Sequence, residues 1–128
     1  MKFEMTENGF QTETSFGTLQ ISGNEEFGFR PYQLLISSIA VCTGGVMRKV
    51  LERKRMPATS ITIEVKDVYR NEEEASRVER VHLHFLIEGI EMTNEKMDKI
   101  MQVTDNNCSM YQSVKNCIEV VKTYEFVN

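Results

Sequence analysis

Tryptophan is absent from this 128-residue chain, and proline and histidine occur only twice each. So little proline excludes a proline-rich linker or ligand tract. Fifteen basic residues against nineteen acidic ones leave a net charge of −4. That balance excludes the positive field that nucleic-acid binding needs, so no nucleic-acid partner is expected. The three cysteines, at 42, 108 and 117, form no Cys-x-x-Cys pair and no even-numbered disulfide framework. The longest uncharged run, Pro31 to Met47, is shorter than the roughly 20 residues of a bilayer span. It also contains Tyr32, Gln33, Ser37, Ser38 and Thr43, and reads as a buried helix. The opening Met1 to Glu7 has no apolar signal core. Together these absences predict a cytoplasmic protein with reduced thiols, no membrane segment and no metal.

Hydrophobic residues make up 41% of the chain and charged residues 27%, the balance of a globular protein. The length predicts a single domain over 1–128. Within 1–29, turn signals at Asn8-Gly9, Gly17, Gly23-Asn24 and Gly28 separate short segments, which predicts two or three short strands. Pro31 suits the first turn of a helix. Apolar residues then recur with helical spacing from Leu34 to Leu51, and the basic cluster up to Arg55 with Pro57 marks the end. A long central helix over 31–55 is therefore expected. The remainder, 60–128, alternates in two segments: Ile61, Ile63 and Val65, then Val81, Leu83, Phe85 and Ile87. A polar turn at Asn71 to Glu74 separates them. Thr93 or Asn94 can cap a second helix with Met97, Ile100, Met101 and Thr104 on one face. A short helix or turn near Cys108 and a closing strand from Cys117 to Phe126 complete an α+β sandwich.

The central helix is apolar around most of its circumference, where a surface helix would show one stripe. Gly44 and Gly45 in its middle cost about 1 kcal/mol each relative to alanine. A close approach of a second backbone makes that cost tolerable, and a homodimer through this helix is expected.

Cys42 lies about three turns into the helix, beyond the reach of the helix dipole and with no His or Lys within one turn. Buried among Ile39, Val41 and Val46, its thiol is expected to be pushed up by desolvation. Cys108, in Asn106-Asn107-Cys108-Ser109, falls at a helix end where exposure is expected. Cys117 reads as a structural strand cysteine. His82 and His84 share one strand face, but two imidazoles without a third ligand predict solvent-facing side chains, not a metal site. Eight methionines invite a copper reading, yet Met97 and Met101 at helical spacing predict core packing.

The stretch from Arg30 to Thr43, Arg-Pro-Tyr-Gln-Leu-Leu-Ile-Ser-Ser-Ile-Ala-Val-Cys-Thr, resembles the central-helix motif of the OsmC/Ohr family. Members carry a proline, a Leu-rich run and a cysteine eleven positions on, as Pro31 and Cys42 are here. Cys108-Ser109-Met110-Tyr111-Gln112-Ser113 stands where the family has its second cysteine, in a Cys-Pro-x-Ser-like turn with serine replacing the proline. The resemblance covers the whole chain. It implies a two-layer fold, a cysteine-bearing central helix on antiparallel sheet, and an intertwined homodimer. It further implies organic hydroperoxide reduction, with Cys42 attacking, Cys108 resolving as a disulfide, and no cofactor. Peroxidatic members place a glutamate after the proline to hold an N-terminal arginine over the thiolate. Tyr32 and Gln33 occupy that place, and no arginine precedes Arg30. The resemblance therefore implies a weak or altered peroxidase, with Arg30, Tyr32 and Gln33 as the binding residues. The alternatives are a non-peroxidatic member binding a small apolar ligand at the dimer interface, and a structural dimer.

Overall fold

The short polar–apolar segments at the start of the chain pair into a three-stranded antiparallel sheet, in the order β1 (Glu4–Met5), β2 (Phe10–Glu13), β3 (Thr18–Ile21). The computed structural model describes every residue, Met1 to Asn128, in two compact units, Met1–Ser37 and Ser38–Asn128. In the first unit, Phe10 pairs with Ile21 and Glu13 with Thr18. The connecting turns are closed by the Thr6 N–H on the Gly9 carbonyl and the Thr14 N–H on the Gly17 carbonyl. Three strands form where two or three were expected.

Helix α1 runs from Pro31 to Arg53, with proline at its first position as its fixed φ favours. By length and apolar composition it could cross a bilayer. In this fold it is a packed helix: Ile39, Thr43, Met47 and Leu51 are fully buried along one stripe. The opposite stripe is not covered within the chain. Val41 is 70% exposed, and Gly45 and Arg48 beside it are exposed too. The two glycines differ sharply. A Cβ on Gly44 would lie 2.6 Å from Ile63 Cδ1, so the helix sits close on the sheet there, whereas a Cβ on Gly45 would meet nothing within 4 Å.

The second sheet has the order β4 (Ser60–Asn71), β5 (Arg77–Glu88), β6 (Glu119–Val127). β4 and β5 are antiparallel and joined through a one-turn 3-10 segment, Glu72–Glu74, where Asn71 Oδ1 accepts the Glu73 N–H. Both strands are longer than their alternation predicts. Register shifts between Val65 and Asp67 and between Tyr69 and Arg70 break the period of two without ending the pairing. β6 runs parallel to β5, pairing Phe85 with Tyr124 and Ile87 with Phe126. The sheet is thus mixed rather than antiparallel, because the connection from β5 crosses over through two helices before returning.

Those helices are α2 (Asn94–Asn107), capped by the Thr93 hydroxyl, and α3 (Ser109–Val114). Met97, Ile100, Met101 and Thr104 are the buried residues of α2, and Val81, Leu83, Phe85 and Ile87 are a fully buried row of β5. Tyr124 of β6 donates its hydroxyl hydrogen toward Asp98, tying sheet to helix.

Candidate active site

Cys42 sits on α1 one residue before the buried stripe position of Thr43 and one after the exposed Val41, at the margin between covered and open faces. Cys108 occupies the single non-helical residue between α2 and α3, with φ −91° and ψ 104°. It ends one helix by donating its N–H to the Asp105 carbonyl and starts the next, where its Sγ accepts the Tyr111 N–H at 3.5 Å. Cys108 is completely buried and Cys42 is half-buried, the reverse of the expected exposures. The reason is the corner itself: a residue joining two packed helices faces inward, while Cys42 lies at the edge of its helix stripe.

The corner brings the two thiols together. Cys42 Sγ lies 3.7 Å from Ser109 Oγ, and Cys108 Sγ lies 3.4 Å from the hydroxyl of Thr43, the neighbour of Cys42. Backbone N–H of Met110 holds the Cys42 thiol below its ordinary value; desolvation opposes this, and Ser109 adds to the lowering. This corrects the expectation of a thiol pushed up by burial. Donors from a segment remote in sequence outweigh desolvation at a site that keeps contact with solvent.

Cys117 lies in the exposed turn before β6 rather than within the strand, its carbonyl accepting from Arg77. It has no place in the cluster. Arg30, Tyr32 and Gln33 come together in the Met1–Ser37 unit. The Arg30 guanidinium stacks 4.8 Å over the Tyr32 ring, and its backbone N–H donates to Gln33 Oε1 at 3.4 Å. Arg30 Nε is buried without a hydrogen-bond partner. His82 and His84 are less open than expected, since both reach Thr123 Oγ1, at 2.7 and 2.6 Å, and His84 also meets Glu125. No three metal-type ligands converge anywhere in the chain. Thr43 and Ser109 are the members of the cluster that sequence reasoning passed over. Their only signal was adjacency to the two cysteines.

Solved structures similar to the chain along nearly its full length include three that differ in how they are described. A hypothetical protein from Aquifex aeolicus VF5 superposes with a TM-score of 0.84 at 22% identity, covering 98% of this chain and 93% of the other. An organic hydroperoxide resistance protein OsmC, described as a predicted redox protein, from Legionella pneumophila gives 0.71 at 17%, covering 97% and 93%. The organic hydroperoxide resistance protein OhrB of Bacillus subtilis gives 0.65 at 13%, covering 98% of each. At such identities these likenesses establish the fold. A comparison with curated protein sequences gives no match. The family model described as OsmC-like protein matches residues 22–122, a span that takes in both cysteines of the cluster, and the chain belongs to that family.

Proposed function

We propose that this protein reduces organic hydroperoxides with Cys42 as attacking thiolate and Cys108 as resolving thiol. The observation that carries the reading is the corner set against Cys42: Ser109 Oγ, next to Cys108, lies 3.7 Å from its sulfur, and the Met110 N–H favours its thiolate. In the first step the Cys42 thiolate attacks the terminal oxygen of R–O–O–H. The O–O bond breaks, Cys42 becomes a sulfenic acid, and the alkoxide takes up a proton and leaves as an alcohol. In the second step the Cys108 sulfur attacks the sulfenic sulfur, the S–O bond breaks, and water leaves with the thiol hydrogen. An external dithiol then reduces the disulfide.

The proposed assembly is a homodimer in the cytoplasm. Its support is the uncovered face of α1, where Val41, Gly45 and Arg48 line a cleft of about 400 Å³ with Ala58 to Ile61 and Ile63 of the β4 side. An exposed valine beside a glycine with open space is the surface that a second helix can approach closely. The same cleft suits the alternative occupant, a small apolar ligand.

One experiment tests the redox reading. Stoichiometric cumene hydroperoxide is expected to yield a Cys42–Cys108 disulfide, reversed by dithiothreitol and mapped by peptide mass. Oxidation that leaves Cys42 a free thiol while modifying Cys117 would replace this reading with a binding or structural one.

A further inference from the structure

Thr43 is fully buried on the sheet-facing stripe of α1, where an unbonded hydroxyl would be costly. It is bonded twice. Its hydroxyl donates to the Ile39 carbonyl at 2.8 Å, and its oxygen lies 3.4 Å from Cys108 Sγ. A carbonyl can only accept, so the single hydroxyl hydrogen is committed to Ile39. The hydrogen between Thr43 and Cys108 therefore belongs to the sulfur. On its other side the Cys108 sulfur accepts the Tyr111 N–H.

We propose that Thr43 is a positioning residue for the second thiol, its hydroxyl turning from the Ile39 carbonyl onto the Cys108 sulfur as that sulfur gives up its hydrogen. The inference rests on Cys42 and Cys108 acting as a pair. Before oxidation, Thr43 accepts the Cys108 S–H and fixes that sulfur beside the helix turn bearing Cys42. After an alkyl hydroperoxide has made the Cys42 sulfenic acid, Cys108 must attack it. The thiol hydrogen leaves with the sulfenic hydroxyl as water, and an S–S bond replaces the S–O bond. Negative charge develops meanwhile on a sulfur with no exposure to water. A helix threonine can rotate between its i−4 carbonyl and a neighbouring acceptor, so the same hydroxyl can donate to that charge. Valine would fill the volume and supply neither bond.

The test compares the native chain, Thr43→Val and Thr43→Ser after one equivalent of cumene hydroperoxide. Sulfenic acid formation is followed by dimedone trapping, and disulfide formation by quenched mass mapping. Thr43→Val is expected to form the sulfenic acid at the native rate but the disulfide about tenfold more slowly, the scale of one hydrogen bond to a charged group. The Cys42 sulfinic fraction should rise in step, and Thr43→Ser should restore the native partition. A Thr43→Val chain that closes the disulfide at the native rate overturns the proposal, as does a Thr43→Ser chain as slow as Thr43→Val. A native chain that forms no Cys42–Cys108 disulfide overturns the pairing itself, and this inference with it. If circular dichroism shows Thr43→Val misfolded, Thr43→Ala against Thr43→Ser makes the same comparison with one hydroxyl as the difference.

Discussion

Lys122 of β6 and Asp105 of α2 form an ion pair in which the lysine side chain is only 6% exposed, and the lysine also lies 3.5 Å over the Tyr111 ring. The pair braces the helix corner that presents Cys108. Asp105 receives the Cys108 N–H on its carbonyl, Gln112 Nε2 bonds the same carbonyl at 2.8 Å, and Tyr111 supplies the N–H that Cys108 Sγ accepts. Strand, corner and thiol are thus mechanically connected.

Lys122→Met should destabilise the fold by about 2 kcal/mol. Removing one partner of a fully buried pair costs more, but Asp105 is 30% exposed and can recover water. The urea midpoint should fall while the slope stays unchanged. An unchanged midpoint would show that the corner is held without this pair.

Cys42 should alkylate with iodoacetamide at lower pH than a free thiol, because the Met110 N–H favours its thiolate. The sign carries over to stability. A folded-state value below the unfolded one means that the unfolded chain binds the extra proton between the two, so stability rises with pH in that window. The benefit is lost as pH falls through the folded value. Ser109→Ala should move the alkylation profile part of the way back, since the serine hydroxyl is a smaller contributor than the Met110 N–H. A profile matching that of a free thiol would remove the electrostatic basis for attack by Cys42.

Cys108→Ser should let Cys42 pass beyond the sulfenic acid to sulfinic and sulfonic acids under the same hydroperoxide dose, since nothing would trap the intermediate. Cys117→Ser should leave the Cys42 products unchanged, as that residue lies in an exposed turn outside the cluster. Mass mapping of the Cys42 peptide reads both outcomes. Equal sulfinic yield with and without Cys108 would deny it a resolving role.

Gly45→Leu should separate assembly from folding. Its Cβ meets nothing within the chain, so helix content should persist while a close helix approach is blocked. Sedimentation at micromolar concentration should show twice the chain mass for the native protein and the single mass for the variant. A dimer unchanged by Gly45→Leu would place the interface elsewhere.

Much of the architecture was legible in order along the chain because its signals are local. Thr93 caps α2 as its position before an apolar period predicts, and Met97, Ile100, Met101 and Thr104 turn inward together. The alternation of Val81 to Ile87 carries the core row of β5. The Pro31-to-Cys42 stretch and the Cys108 turn pointed to the OsmC-like family that the model over 22–122 identifies. Strand direction is different in kind. A period of two reads the same in either orientation, so only the crossover through α2 and α3 decides that β6 lies parallel to β5.

The chemistry of the site depended most on tertiary structure. Which of Cys42 and Cys108 is the more open follows from the corner at Cys108 and the stripe margin at Cys42, not from the residues flanking either in sequence. The principal donor to Cys42 is a backbone N–H, which every residue except proline carries, so nothing in the identity of Met110 announces it. Thr43 likewise reads as one more small residue in an apolar helix until Cys108 is brought against it. The sequence alone determined the helices, the strands and the two thiols; their close approach, and hence the lowered Cys42 thiol, arises only when residues far apart in the chain share one hydrogen-bonded corner.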